Sequence, residues 1–225
     1  ILTVMSKLKY GFFVLATWLF FNLPAATQPF INEINFFAKQ DSLKPPPARP
    51  VLFIGSSSFT NWKDVQAYFP GYTVLNRAFG GSSLTHQITY ADQVIFPYNP
   101  KQIIIYCGEN DVAAGKSITA DSVLNRFKRL HKLIRNRLPD VPVVYVSMKP
   151  SPSREHLLPV IEEGNQLIRK YIRKKKKTVY ADIYHKMVTE DGKIRQDLFL
   201  SDRLHMNKTG YELWQPVLAA CMLKD

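Results

Sequence analysis

The chain has 225 residues, 46% of them hydrophobic, with a formal net charge of +12 and two cysteines. That length supports one domain with a sizeable core plus a short appendage, and no cysteine spacing suggests zinc. The charge alone would fit a nucleic-acid or anionic-membrane partner. Much of it sits in one run, residues 173–177, at the end of an expected helix, and no nucleic-acid recognition motif accompanies it.

The N-terminus reads as a targeting segment. Lys7 and Lys9 precede an apolar stretch over residues 11–21, and the small residues Ala25, Ala26 and Thr27 follow. Residues 1–27 are therefore expected to be a signal peptide or an N-terminal anchor, with Met5 as the natural start, on a secreted or periplasmic protein. Residues 28–50 read as a tether, stiffened by Pro45, Pro46 and Pro47. The folded domain is expected over 51–225.

From Val51 onward, apolar strand signals alternate with helical periodicity. Strands are expected at 51–54, 72–75, 102–107, 141–147 and 178–182. Helices are expected at 83–95, 120–138, 157–175 and 208–223. In the second of these, Val123, Leu124, Phe127, Leu130, Ile134 and Leu138 recur at helical spacing. This alternation predicts right-handed βαβ units and an α/β fold with a parallel sheet covered on both faces. Sites in such sheets gather at the carboxyl ends of strands. Cys107, inside the third apolar run, reads as a small buried hydrophobe. His131 reads as a solvent-facing helical residue.

Four polar blocks carry the chemistry. Ser57 lies in the turn Gly55-Ser56-Ser57-Ser58 after the first strand. A serine hydroxyl becomes a nucleophile when a neighbouring base takes its proton; the alternative is a plain turn with capping serines. The turn matches neither Gly-x-Ser-x-Gly nor a Walker loop. In Gly80-Gly81-Ser82, glycine lets a backbone N–H approach a ligand, or merely forms a turn. Asn110, in Gly108-Glu109-Asn110-Asp111, can donate to an oxyanion, or close a turn. Asp202 and His205 stand three apart before the last helix, where a carboxylate could orient an imidazole; a surface turn would look the same. His86, His131, His156 and His185 read as lacking a comparable setting.

Together these blocks resemble the SGNH hydrolases, or GDSL lipase/esterase family, over about residues 50–223, with the bacterial platelet-activating-factor acetylhydrolase-like branch closest. The resemblance implies a three-layer α/β/α sandwich with a five-stranded parallel sheet, flavodoxin-like in class. It implies Ser57 as nucleophile, His205 as base, Asp202 as its partner, and an oxyanion hole from the N–H groups of Ser57 and Gly81 and the side chain of Asn110. Ser56 and Ser82 depart from the family pattern, standing where aspartates are common. No cofactor or metal is implied.

The expected reaction is hydrolysis of short acyl esters, acetylated carbohydrates and lysophospholipid-like esters both being open. The rival is a non-catalytic envelope or carbohydrate-binding module on the same fold. Trp62 reads either as a pocket wall or as packing against the sheet. Arg154 reads as an anion- or hydroxyl-binding pocket residue or as part of a stiff loop. The Lys174–Lys177 run is a candidate contact for anionic membrane surfaces. Acyl length and oligomeric state are open at this level.

Overall fold

The computed structural model describes residues 28–224; the expected leader, residues 1–27, lies outside them. Among the described residues, five strands form one sheet: β1 (Val51–Gly55), β2 (Val74–Asn76), β3 (Gln102–Tyr106), β4 (Val143–Val146) and β5 (Thr178–Ala181). All pairs are parallel, in the order β2-β1-β3-β4-β5. Chain order reverses beside β1, the position at which doubly wound sheets open a crevice for ligands.

The helices are α1 (Ile31–Leu43), α2 (Ser57–Thr60), α3 (Val65–Tyr68), α4 (Leu84–Thr89), α5 (Ala91–Val94), α6 (Glu109–Val112), α7 (Ala120–Arg137), α8 (Leu158–Ile172) and α9 (Lys208–Ala219). Side chains of a strand point alternately to opposite faces, which divides the interior into two cores. Leu52, Ile54, Ile103, Ile105, Val143 and Tyr145 face one side, with residues of α4, α5, α7 and α8. Val51, Phe53, Ile104, Tyr106, Val144 and Val146 face the other, with Phe59, Trp62, Phe69, Trp214 and Leu218. Because both faces are covered, the central strands read as unbroken apolar runs rather than alternating ones. Each fully buried isoleucine contributes about 1.5–3 kcal/mol.

The tether expected over 28–50 is corrected by the structure. Ile31–Leu43 is a helix, with Ile34 buried and Ile31 and Phe37 packed against the core. Asp41 pairs with Arg77 and accepts the Tyr98 hydroxyl at 2.7 Å, while Arg77 Nε donates to Tyr98 at 2.8 Å. The three prolines restrain only the segment after the helix. The apolar spacing of Ile31, Ile34 and Phe37 is the helical signal that the sequence carries here.

His131 is also corrected. It is 4% exposed, its ring nitrogens placed 3.1 Å from the Tyr171 hydroxyl and 3.0 Å from Thr178 Oγ1. Burial, and then the cations Arg135 and Lys175, pull it down from 6.5 to about 4. Between those pH values the unfolded chain binds a proton that the folded chain refuses, so stability rises with pH across this window and levels off above it. The thermal midpoint is expected to climb from pH 4 to 6.5, and less steeply in His131→Gln. Equal slopes for the two proteins would exclude His131 as the source.

Candidate active site

The first block is built around a glycine. Gly55 ends β1 at φ 137°, and a Cβ there would stand 1.9 Å from the Tyr106 carbonyl oxygen, so no other residue fits. The chain then turns into α2, and Ser57 becomes its first residue, partly exposed. Ser56 precedes it, 3% exposed, its N–H on the Tyr106 carbonyl at 3.0 Å and its own carbonyl accepting from Phe59 and Thr60. Nothing in these contacts explains why a serine rather than an aspartate stands at 56.

The second block is laced to the first. Phe79 N–H donates to the Gly55 carbonyl at 3.0 Å, and the buried Ser82 hydroxyl donates to the same oxygen at 2.9 Å. Gln87 Nε2 donates to Ser82 Oγ at 2.9 Å. Ser82 therefore fastens one block to the other, a role that a small neutral hydroxyl fills without burying a charge. A Cβ on Gly80 would lie 3.9 Å from the Ser57 Cβ, which puts this block beside α2. Gly81 is exposed at φ 78°, with the Phe30 ring 3.7 Å from where its Cβ would be. Phe30, also packed on Phe79 and His86, thus walls one side of Gly81. The N–H groups of Ser57 and Gly81 have no protein hydrogen-bond acceptor among the described residues.

In the third block the side chains divide by function. Asp111 is fully buried, accepting Leu84 N–H at 2.9 Å and Arg126 at 2.8 Å, and burial raises it above the usual carboxylate range despite these partners. Glu109 is buried as well, within 3.0 and 3.1 Å of Lys149 Nζ and hydrogen-bonded by the Tyr106 hydroxyl. Burial pushes the Lys149 ammonium down and the Tyr106 phenol up. With both neighbours anchored inward, Asn110 stays partly exposed. Its Nδ2 donates to the Ser82 carbonyl at 3.0 Å, and its Oδ1 accepts from Arg154 Nη2 at 2.9 Å. The guanidinium can only donate, which fixes which end of the amide faces Ser82.

The fourth block is a local turn. Asp202 Oδ1 accepts the N–H groups of Leu204 and His205, each at 2.9 Å, and Oδ2 lies 2.6 Å from His205 Nδ1. Those two backbone donors, more than the imidazole, hold Asp202 down to about 2. It is ionised through the working range, and the arrangement leaves Nε2 as the free ring nitrogen. Ser153 N–H donates to the Arg203 carbonyl at 3.0 Å. The loop that carries Arg154 thus joins this turn to Asn110.

Blocks one to three are joined by direct contact, and block four reaches them through residues 153 and 154. Among the described residues, His205 and Ser57 share no hydrogen bond. Trp62 is 1% exposed, packed on Phe59, Tyr68, Phe69 and Tyr211, with its Nε1 unpartnered. It borders a cavity of about 420 Å³ shared with Phe37, Thr60, Asn76 and Phe79. Arg154 contacts Asn110, a hydrogen bond that sequence reasoning missed and that makes it a candidate positioning residue. Replacing it with alanine is expected to lower kcat by roughly tenfold, short of the loss of a donor itself, with KM little changed. Arg154→Lys should recover part of it, and unchanged kinetics in Arg154→Ala would remove the role.

The reading of His185 is corrected too. Asp182 and His185 form a second Asp-x-x-His, with Nδ1 at 2.8 Å from Oδ2. The spacing was visible in the sequence, directly after the fifth apolar run.

The model of the GDSL-like lipase/acylhydrolase family matches residues 53–213. Among solved structures, a Streptococcus pneumonia protein provisionally named a platelet activating factor is similar at 17% identity and TM-score 0.73, over 84% of this chain and 90% of that one. A GDSL-like lipase from Bacteroides thetaiotaomicron aligns at 18% identity and TM-score 0.70, over 83% and 95%. An acetyl-xylooligosaccharide esterase from Geobacillus Stearmophilus aligns at 11% identity and TM-score 0.59, over 78% and 94%. None of the curated protein sequences compared matches the chain. At these identities the structural neighbours speak for the fold, while the family match spans most of the domain. The chain belongs to the GDSL-like lipase/acylhydrolase family and is a carboxylic ester hydrolase.

Proposed function

We propose that Ser57, His205 and Asp202 form a catalytic triad that hydrolyses short acyl esters, with acetylated carbohydrates as the substrate class. His205 Nε2 takes the Ser57 proton as Oγ attacks the acyl carbon. Asp202 holds the other ring nitrogen and stabilises the imidazolium that forms. The oxyanion is received by the N–H groups of Ser57 and Gly81 and by Asn110. The leaving alcohol takes its proton from His205, and water then repeats the sequence on the acyl-enzyme.

The observation that carries this reading is the pair of unused backbone donors, Ser57 and Gly81, in blocks that touch each other, with a pre-oriented Asn110 alongside. Donors already in place cost no reorganisation when charge develops. The open His205–Ser57 pair is compatible with it, since such bonds often tighten only around substrate. The carbohydrate preference draws on the acetyl-xylooligosaccharide esterase among the similar structures. Phe30 beside Gly81 supports a short acyl group by narrowing that side.

The test is hydrolysis of p-nitrophenyl acetate by the purified protein, together with labelling by a fluorophosphonate and mass mapping of the modified peptide. Turnover with the label on Ser57 is the expected result. A label elsewhere, or no turnover, overturns the assignment.

A further inference from the structure

A second cavity, of about 250 Å³, opens at the carboxyl end of β5, and the proposed ester chemistry makes no use of it. One wall is α8, which presents Glu162, Gln166 and Arg169 at positions i, i+4 and i+7, all on one helical face. The other wall is the turn after β5, with Asp182, Tyr184 and His185. The turn is held by the buried Ser147 hydroxyl, which accepts the N–H groups of Ile183 and Tyr184 at 3.0 Å each. Behind it, the Asn165 amide bonds both the N–H and the carbonyl of Met148 at 2.9 Å. The walls are therefore set before any ligand arrives.

The polar groups facing this space alternate in kind. Glu162 Oε1 accepts the Tyr184 hydroxyl, which orients the carboxylate and leaves Oε2 free. Asp182 lies between His185 Nδ1 at 2.8 Å and Arg169 Nη1 at 3.8 Å. Gln166 and the outer edge of His185 have no protein hydrogen-bond partner among the described residues. Two carboxylates more than offset the single guanidinium, so an anion is disfavoured. Small volume, several fixed donors and acceptors, and no demand for a charged ligand describe a hydroxyl-rich neutral ring.

We propose that this cavity binds one uncharged sugar unit of a glycan. Taken with the proposed function, on which this part rests, it is an outlying subsite for the ester-bearing chain. The cavity and the Ser57 turn both lie at the carboxyl edge of the sheet, and β5 stands three strand spacings from β1, about 14 Å across. An oligosaccharide spans that distance, whereas a single acetylated sugar does not.

Unesterified xylohexaose and chitohexaose, titrated calorimetrically into the full chain and into Glu162→Gln and Arg169→Ala, test the cavity independently of any hydrolysis. At least one hexasaccharide should bind, and each substitution should weaken it by about tenfold, one hydrogen bond's worth. Acetylated xylohexaose should show the matching rise in KM, with p-nitrophenyl acetate kinetics unchanged. Binding of neither hexasaccharide, or equal binding by wild type and variants, overturns the subsite. Failure to hydrolyse p-nitrophenyl acetate with hexasaccharide binding intact overturns the triad and leaves the sugar site standing.

Discussion

Ser57→Ala is expected to reduce kcat on p-nitrophenyl acetate by roughly 10⁴- to 10⁶-fold, the range seen when a triad nucleophile is removed. The fold should be untouched, because Ser57 begins a four-residue helix and its hydroxyl makes no side-chain hydrogen bond among the described residues. His205→Ala should fall almost as far, and the double variant no further, since in the proposed mechanism the two act as one proton-transfer unit. Asp202→Asn should lose less. In that mechanism the carboxylate supplies tautomer and orientation, and its hold on the turn through Leu204 and His205 N–H survives in part with an amide oxygen. A Ser57→Ala protein within tenfold of wild type would mean that the nucleophile lies elsewhere.

Lys149→Ala is expected to destabilise the folded state by about 3–5 kcal/mol, because it leaves the Glu109 carboxylate buried without its cation. Lys149 is 1% exposed, so water cannot replace the missing charge without local opening. The double substitution Lys149→Met with Glu109→Gln should recover much of the loss, since removing both charges removes the desolvation penalty. Denaturant midpoints at equal slope give the comparison. Activity should fall with the single variant even where it remains folded, because Glu109 anchors the turn that carries Asn110. A single variant within about 1 kcal/mol of wild type would show that the pair is not needed to hold this turn.

The sheet was legible because five apolar runs separated by helical periodicity admit few arrangements. Each was placed to within a few residues, the second shifting from 72–75 to Val74–Asn76. The N-terminal helix was lost to its neighbours, since three prolines dominated a window whose apolar spacing was helical. His131 was misplaced for a related reason. A histidine on a helix reads as polar, and only the arrival of Tyr171 and Thr178 from distant segments gives its ring buried partners.

Glu109 and Asp111 illustrate the same limit within a motif. In sequence they flank Asn110 as two more polar residues, and nothing local separates anchor from donor. Lys149, three residues past β4, and Arg126, on α7, draw them inward from 40 and 15 residues away.

The four polar blocks, their order and their spacing from the strands were settled by sequence, which offered the Asp202–His205 pairing and left a plain surface turn equally open; the pairing itself is a feature of the folded turn. Tertiary structure alone decided which block touches which. It tied Gly55 to Ser82, turned Asn110 by means of Arg154, brought Phe30 against Gly81, and opened the cavity between α8 and the Asp182–His185 turn. Each of those contacts joins segments far apart in the chain. Their geometry is set by strand order and by the two cores that clamp the sheet.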